Sequence, residues 1–183
     1  MPVTISKKLL DSNLTKPEVN KFINITGQIR SYNNFDINNN KTKLILTVFA
    51  QSINFETYDF SNNFNQAFLN GYICKKPVYR KTPFGREITD ILLAVNRPYN
   101  KSDYIPCIAW GRNAKLTSKL NIADNIKITG RLQSRDYQKK LPNGEVLNKT
   151  TYELSISKIN SNYIPELQYY NDNNRINNKN GLS

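Results

Sequence analysis

The chain contains an internal repeat, and this repeat constrains its fold more than any other feature. Residues 25–31 read Ile-Thr-Gly-Gln-Ile-Arg-Ser, and residues 128–134 read Ile-Thr-Gly-Arg-Leu-Gln-Ser, a spacing of 103 residues. Residues 2–10 align in the same way with the stretch that begins at Pro106, at a spacing of 104 residues. A self-match at a nearly fixed spacing indicates a duplicated structural unit. The chain is therefore expected to contain two copies of one fold.

The first copy matches only the back half of the second. The match resumes at residues 40–48 and 148–156. Only the second copy is preceded by a further stretch, residues 68–105. The first copy is therefore expected to be truncated on its N-terminal side. Either the chain is a shortened product of a longer tandem protein, or another subunit supplies the missing strands.

Segments rich in β-branched and aromatic residues predict an all-β chain. They are separated by turn residues and lie at 20–29, 43–53, 68–79, 87–97, 104–110, 125–134 and 151–159. A short helix is predicted at 113–120, with a counterpart at 7–14. Five strands with a helix between the third and fourth are the order of an OB-fold, a five-stranded Greek-key barrel. The alternative, a β-sandwich, needs about seven strands.

These patterns predict four regions. Residues 1–55 form a partial OB-like unit that comprises the last three strands only, and residues 56–67 form a linker. Residues 68–160 form the complete OB-fold. Residues 161–183 form an Asn-rich tail, which is expected to be flexible because it has too little apolar surface to offset its ordering entropy.

Charge predicts a polyanionic partner. The net charge is +12, and residues 71–140 carry 15 Lys or Arg against five Asp or Glu. Such a concentrated basic stretch is typical of proteins that bind nucleic acid or an anionic membrane. No stretch approaches the run of about 18 apolar residues that a membrane-spanning helix needs. We therefore expect a nucleic-acid partner rather than a membrane.

Composition argues against an enzyme. The chain has no histidine, which removes the commonest general base and the usual nucleophile pairs. It contains no Gly-rich phosphate-binding motif, and its carboxylates are scattered. Its two cysteines, Cys74 and Cys107, are too far apart for a Cys-x-x-Cys motif, and we expect both to be reduced and buried in strands of a cytoplasmic protein. No cofactor and no metal are expected. A degenerate enzyme or nuclease accessory factor is the weakest alternative.

Basic and aromatic residues alternate along the second copy, as in grooves that bind single-stranded nucleic acid. Among the aromatic residues, Phe68, Tyr72 and Tyr152 are expected in the core. The interleaving predicts a nucleic-acid site at Tyr79, Arg80, Arg86, Arg97, Tyr99, Tyr104, Trp110, Arg112, Arg135, Tyr137 and Lys139.

Four stretches in this region resemble the bacterial single-stranded DNA-binding protein family. Residues 77–85, 93–99, 103–111 and 130–137 match in order and spacing, and the resemblance covers residues 68–160, about half of the chain. It implies an OB barrel. It also implies base stacking and basic contacts at Arg80, Arg97, Tyr99, Tyr104, Trp110, Arg112, Arg131, Arg135 and Tyr137.

The chain also departs from this family. Members usually carry one OB domain and end in an acidic, Phe-terminated tip that recruits partners. This chain has a partial second unit and ends in Asn-Gly-Leu-Ser, without the acidic tip. It is more similar to a tandem-OB variant from low-GC Gram-positive bacteria.

The sequence therefore predicts a non-catalytic protein that binds single-stranded DNA with little sequence preference. Its expected roles are protection of single strands in DNA replication, recombination or repair, as a homo-oligomer associated with the nucleoid. The alternative is an OB module that binds RNA or a replisome protein, because an OB surface alone does not choose among these partners.

Overall fold

The computed structural model describes residues 1–11, 18–36, 41–55, 64–140 and 144–160 of the chain. The strands and helices of these residues, in chain order, are β1 (Val3–Thr4), α1 (Lys7–Asp11), β2 (Asn24–Asp36), β3 (Lys41–Asn54), β4 (Ala67–Ile73), β5 (Val78–Lys81), β6 (Glu87–Arg97), β7 (Lys101–Trp110), α2 (Gly111–Thr117), β8 (Asn125–Lys140) and β9 (Val146–Asn160). Within the described ranges, the strands form one sheet of six strands and one of three.

The six-stranded sheet closes into a barrel. Its strand order is β4-β8-β9-β7-β6-β5, and β4 also pairs with β6 at Tyr72 and Ile73. This extra pairing joins β4, β8, β9, β7 and β6 in a ring, while β5 extends the sheet beyond the ring as a hairpin with β6. The β7–β9 pairing is parallel and involves only Cys107 and Ile108 of β7. The OB-fold predicted from the strand order is therefore confirmed.

The core of the barrel follows from the two-residue period of its strands. Ile91 and Leu93 of β6 pack with Ile105 and Cys107 of β7 in one buried cluster. Each of them alternates with a residue that faces away from the core, because successive side chains of a strand point to opposite faces. Burying one large aliphatic side chain stabilises a fold by roughly 1.5–3 kcal/mol. The cluster therefore holds the barrel closed.

Strand β4 corrects part of the predicted core. Tyr152 packs against the buried cluster, as predicted. Phe68 and Tyr72, however, are 73% and 44% exposed, so their prediction as core residues is wrong. The alternate residues of β4 face the core instead, including Leu69 and Ile73. The sequence did not separate the two faces because apolar residues occur on both.

The two cysteines differ in burial. Cys107 lies in β7 and is buried, as predicted. Cys74 follows the end of β4 and is only partly buried, and its thiol donates to the carbonyl of Leu92 over 3.2 Å. Burial is the main cause that raises the pKa of both thiols. A raised thiol pKa lowers the thiolate fraction at neutral pH, so both cysteines are poor nucleophiles.

Helix α2 connects β7 to β8 across the base of the barrel. It begins at Gly111, two residues before the predicted start, where a φ of +52° turns the backbone out of β7. Glycine adopts this conformation at low cost because it lacks Cβ. Thr89 Oγ1 of β6 donates to the carbonyl of Ala114 over 2.8 Å and anchors the helix. Neither α2 nor any other helix in the described part of the chain is long and apolar enough to cross a membrane.

The three-stranded sheet has the order β1-β3-β2 and reproduces local features of the barrel. Its helix α1 begins at Lys7, which is 104 residues before the start of α2. The β2–β3 ladder has a register shift between Thr26 and Gly27, and the β8–β9 ladder has one between Thr129 and Gly130. The repeated Ile-Thr-Gly segment therefore forms the same irregularity in both copies.

Strand pairing corrects one part of the sequence match. Val3 lies beside Val48 in the first sheet, and Cys107 lies beside Leu154 in the barrel. This places β3 and β9 at a spacing of 106 residues, whereas the sequence match of 40–48 with 148–156 implies 108. A shift of two residues leaves every side chain on the same face, so the apolar pattern cannot distinguish the two alignments.

Candidate nucleic-acid interface

One surface of the barrel carries half of the predicted site residues. It consists of the residues of β5 to β9 that alternate with the core positions, and we call it the outer face. Ile88 of β6 lies opposite both Arg80 of β5 and Trp110 of β7, and Ser155 of β9 lies opposite Arg131 of β8. Directly opposed residues share one face of a sheet. The outer face therefore contains Arg80, Tyr104, Trp110, Arg131, Arg135 and Tyr137.

Trp110 is fixed at the centre of the outer face. Its indole Nε1 donates to Ser155 Oγ over 3.1 Å, next to the short parallel pairing of β7 with β9. A buried indole N–H normally requires such an acceptor. The bond leaves the half-buried ring with one edge anchored, so the ring needs little reordering before it meets a ligand.

Arg80 is oriented by a carboxylate of the neighbouring strand. Its Nε lies 2.6 Å from Asp90 Oδ2, and its Nη2 lies 3.2 Å from Asp90 Oδ1. The hydrogen bonds with Asp90 raise the pKa of Arg80. Both side chains are about 40% exposed, so the pair contributes at most roughly 1 kcal/mol to stability. Its main effect is to hold the guanidinium group in one orientation on the outer face.

Strand β8 supplies two arginines and one aromatic residue to the outer face. Arg131, Arg135 and Tyr137 share the outer face with Gln133. Arg135 Nη2 lies 3.7 Å from a carboxylate oxygen of Glu153, and Gln133 Nε2 donates to the other oxygen over 2.8 Å. Tyr137 is 42% exposed. Lys139 continues the same strand, and its side chain lies outside the described part.

Two further tyrosines lie near one end of β7. Tyr104 is 42% exposed on the outer face. Tyr99 is at the turn between β6 and β7, is 93% exposed and has a φ of +63°. A residue other than glycine in this conformation costs roughly 1–3 kcal/mol. The strain lies in the backbone, and the exposed ring is available to stack on a ligand.

Four predicted residues lie away from the outer face. Arg86 follows the β5–β6 turn and Arg112 lies in α2, and both are exposed. Tyr79 faces the other side of β5 from Arg80, and its hydrogen bond with Glu87 raises the pKa of the phenol. Arg97 lies beside the buried Asp103.

Several aromatic residues that the predicted site did not include are exposed in the described part of the barrel region, and Phe84 is the most exposed of them. Phe84 is 92% exposed in the turn between β5 and β6. Gly85, with a φ of +75°, closes this turn, and its N–H donates to the carbonyl of Thr82 over 2.8 Å. The sequence signal was present, since an aromatic residue at the centre of a Pro-Phe-Gly turn cannot reach a core.

The chemistry of the outer face is suited to binding. Within the described ranges, no three His, Cys, Asp or Glu residues come together as a metal site would require. The carboxylates of Asp90 and Glu153 are each paired with an arginine instead. The surface offers aromatic rings and guanidinium groups that project from β5, β7 and β8 on one face of the sheet.

Comparison with known proteins identifies the family. The model of the single-strand binding protein family matches residues 64–161, more than half of the chain. The chain belongs to this family. Its predicted resemblance is therefore confirmed, and the matched region contains the whole barrel.

Curated relatives come from low-GC Gram-positive bacteria. Single-stranded DNA-binding protein 1 of Staphylococcus aureus is 35% identical over 81 residues, which cover 40% of this chain and 48% of the relative. Single-stranded DNA-binding protein A of Bacillus subtilis is 34% identical over 86 residues, which cover 40% and 47%. The match thus spans about half the length of these relatives.

Solved structures support the fold over a longer part of the chain. A deletion mutant of the single-stranded DNA binding protein from Thermus aquaticus matches with a TM-score of 0.60 at 20% identity. The superposition covers 80% of this chain and 64% of that chain. The wild-type protein from Thermus aquaticus matches with a TM-score of 0.58. The similarity extends beyond the barrel, because the barrel contains fewer residues than the superposed part of the chain.

Proposed function

We propose that the outer face of the barrel binds single-stranded DNA with little sequence preference and has no catalytic role. The observation that carries this proposal is that Tyr104 and Trp110 of β7 share the outer face with Arg131, Arg135 and Tyr137 of β8. Unpaired bases stack on aromatic rings, at roughly 1–3 kcal/mol per base, while Lys and Arg follow the phosphates. The relatives from Staphylococcus aureus and Bacillus subtilis are named as single-stranded DNA-binding proteins.

The geometry favours single strands over duplex. The half-buried ring of Trp110 is anchored to the sheet by Ser155, so a base must leave its stack to reach the ring. In a closed duplex both faces of each base are already covered by neighbouring bases. Stacking is also tolerant of sequence, because every base has a π-face. The expected specificity is for the unpaired state of the nucleic acid.

Electrostatic attraction adds a salt-dependent contribution. The chain has a net charge of +12, and the two arginines of β8 lie on the outer face. On single strands the logarithm of the binding constant falls with the logarithm of salt concentration by about 0.7 per phosphate contact. Glu153 neutralises part of this charge but also orients Arg135, which reduces the entropy lost on binding.

A competition experiment tests the proposed function. A labelled dT oligonucleotide bound to the protein is challenged with unlabelled single-stranded DNA, a duplex of matched length and single-stranded RNA. We expect single-stranded DNA to compete at least 10-fold more strongly than the duplex. Equal competition by the duplex would refute stacking and leave only a basic patch. Stronger competition by RNA would favour the alternative ligand, and failure of every nucleic acid to bind would favour a replisome protein.

We further propose that the chain self-associates and acts in replication, recombination or repair at the nucleoid. In the described part of the chain, β2 pairs with β3 along one edge, and along the other it forms no strand ladder although Ser31 contacts Asp103 of β7. The rest of such an edge can accept another strand. Residues 1–55 would thus form a partial OB-like unit joined by residues 56–67 to the complete unit. Light scattering tests self-association, and a monomer at micromolar concentration would contradict it. The predicted tail, with the C-terminal tip, lies outside the described residues.

A further inference from the structure

A buried carboxylate joins the three-stranded sheet to the barrel. Asp103 of β7 is only 1% exposed. Its Oδ1 accepts a hydrogen bond of 2.7 Å from the backbone N–H of Ser31 in β2. Its Oδ2 lies 3.2 Å from Arg30 Nη1 and 3.2 Å from Arg97 Nε. One carboxylate therefore contacts both the first sheet and the neighbouring strand β6 of the barrel.

A second hydrogen bond runs in the opposite direction. The backbone N–H of Tyr104 donates to Ser31 Oγ over 2.7 Å. Ser31 thus donates to one residue of β7 and accepts from the next. Ser31 is itself 7% exposed, so solvent does not compete freely for these groups. A buried N–H left without an acceptor costs considerably more than a typical hydrogen bond contributes.

These contacts occupy an edge of β7 that the barrel leaves open. Strand β9 pairs with β7 only at Cys107 and Ile108, so the preceding half of β7 has no strand on that side within the described ranges. Ser31 meets the strand there, at Asp103 and Tyr104. The first sheet therefore supports the part of β7 from which Tyr104 projects onto the outer face.

Arg97 extends this support to the turn that carries Tyr99. It is the last residue of β6 and pairs with Lys101 across the β6–β7 hairpin. Its Nε is buried and has no hydrogen bond of acceptable geometry among the described residues, although Asp103 lies close by. Its charge is therefore balanced mainly by Asp103. Without this carboxylate, the guanidinium groups of Arg30 and Arg97 would both lose the negative charge that lies beside them.

We propose that Ser31 and Asp103 form a clamp through which the three-stranded sheet positions Tyr99 and Tyr104 for single-stranded DNA. Ser31 and Asp103 are positioning residues, because they act through the β6–β7 hairpin. The inference rests on the proposed function of the outer face. Coupling between two sites is reciprocal. DNA bound at the tyrosines therefore strengthens docking of the sheet to the same extent that docking strengthens DNA binding.

The first test removes only the hydroxyl of Ser31. Ser31→Ala deletes the acceptor for the Tyr104 N–H but keeps the backbone N–H that serves Asp103. With a dT oligonucleotide of about 10 nucleotides, we expect Kd to rise about 3- to 10-fold, the value of one hydrogen bond. The salt dependence should not change, because no phosphate contact is lost. Ser52→Ala, at an exposed serine of β3, is the matched control and should bind like the unaltered protein.

A mutant cycle separates positioning from general stability. If Ser31 acts through Tyr99 and Tyr104, adding Ser31→Ala to the Tyr99→Ala, Tyr104→Ala variant should weaken binding no further. Multiplicative losses would overturn the clamp, as would a folded Ser31→Ala variant with the Kd of the unaltered protein. If the unaltered protein and Ser52→Ala both fail to bind dT, the proposed function fails as well.

Hydrogen exchange tests the coupling in the unaltered protein, so the result does not depend on whether a variant folds. Saturating dT oligonucleotide should slow exchange of the Ser31 and Tyr104 amides, because bound DNA stabilises the clamped state. Slowing at Tyr104 with no change at Ser31 would overturn the reciprocal coupling.

Discussion

The β2–β3 hairpin and the β8–β9 hairpin are built alike, but only the second is part of a closed barrel. Both contain the Ile-Thr-Gly segment and the same register shift beside glycine. On the equivalent face, β8 carries Arg131 and Arg135, whereas β2 carries Gln28 and Tyr32. The first hairpin has therefore kept the backbone of the repeat, but its arginine on this face, Arg30, stands at the position of Gln133 and contacts Asp103.

This difference distinguishes the structural features that local sequence determines from those that closure of the barrel determines. Bulges, turns and helix starts recur in both copies because a few neighbouring residues define them. A closed core and a continuous basic, aromatic face require strands β4 to β6, which pair only within the six-stranded sheet of the described residues. Binding is therefore expected to depend on the barrel, with the first sheet contributing through its contact with β7.

The largest effect is expected from an added methyl group at the repeated glycine. A Cβ at Gly130 would lie 2.3 Å from the carbonyl oxygen of Ser155, and one at Gly27 would lie equally close to that of Phe49. Gly130→Ala should destabilise the barrel by about 3 kcal/mol, since overpacking of this kind forces backbone shifts. Gly27→Ala should disturb only the first sheet. The rate at which the buried Cys107 is alkylated measures how often the barrel opens. If this rate rose equally in both variants, the stability of the barrel would not be separable from that of the first sheet.

A comparison of two exposed tyrosines should give the next largest effect. Tyr104→Ala should weaken binding of dT about 10- to 100-fold, because it removes a stacking platform. Tyr32→Ala, at a tyrosine of the first sheet that is 54% exposed, should leave Kd within about twofold. Fluorescence anisotropy measures both constants, and thermal melts establish that the variants are folded. If Tyr104→Ala unfolds the barrel, its assignment to the binding surface is wrong.

Removal of residues 1–63 should have a moderate effect on binding. Asn65 is retained because its side-chain amide exchanges two hydrogen bonds of 2.9 Å with the backbone of Leu132. The shortened chain should fold, although it loses the packing of Leu46 against the barrel cluster, and it should bind dT about 3- to 10-fold more weakly because the clamp is lost. We expect residues 1–60 alone not to fold, because three strands leave the apolar face of Leu46 uncovered. A stable 1–60 fragment, detected by a cooperative thermal melt, would contradict the partial-unit interpretation.

The smallest effect concerns salt dependence. Arg131→Met should reduce the slope of log K against log salt by about 0.7, the value of one phosphate contact on a single strand. Lys43→Met is the control, because Lys43 is an exposed cation on the first sheet. Its slope should match that of the unaltered protein. An equal reduction in both variants would mean that DNA also contacts the first sheet.

The sequence predicted the fold well because the order of strands and turns carries most of the information for an OB barrel. It could not assign the faces of β4, where Phe68 and Tyr72 alternate with residues that are also apolar. It also grouped Tyr79 with Arg80, although adjacent residues of a strand face opposite sides. The pairing of Asp103 with Ser31 depends on tertiary contact. No local pattern reports such a contact between the copies.

Photo-crosslinking tests the central claim most directly. A single-stranded oligonucleotide with 5-iodouracil at successive positions is bound to the full chain, irradiated, and its adducts are mapped by mass spectrometry. Stacking on the outer face predicts adducts at Tyr99, Tyr104, Trp110 and Tyr137, and none at Tyr32 or Phe49 of the first sheet. Adducts at Tyr32 and Phe49 in equal yield, or their absence from the four barrel residues, would contradict the assignment of binding to the barrel.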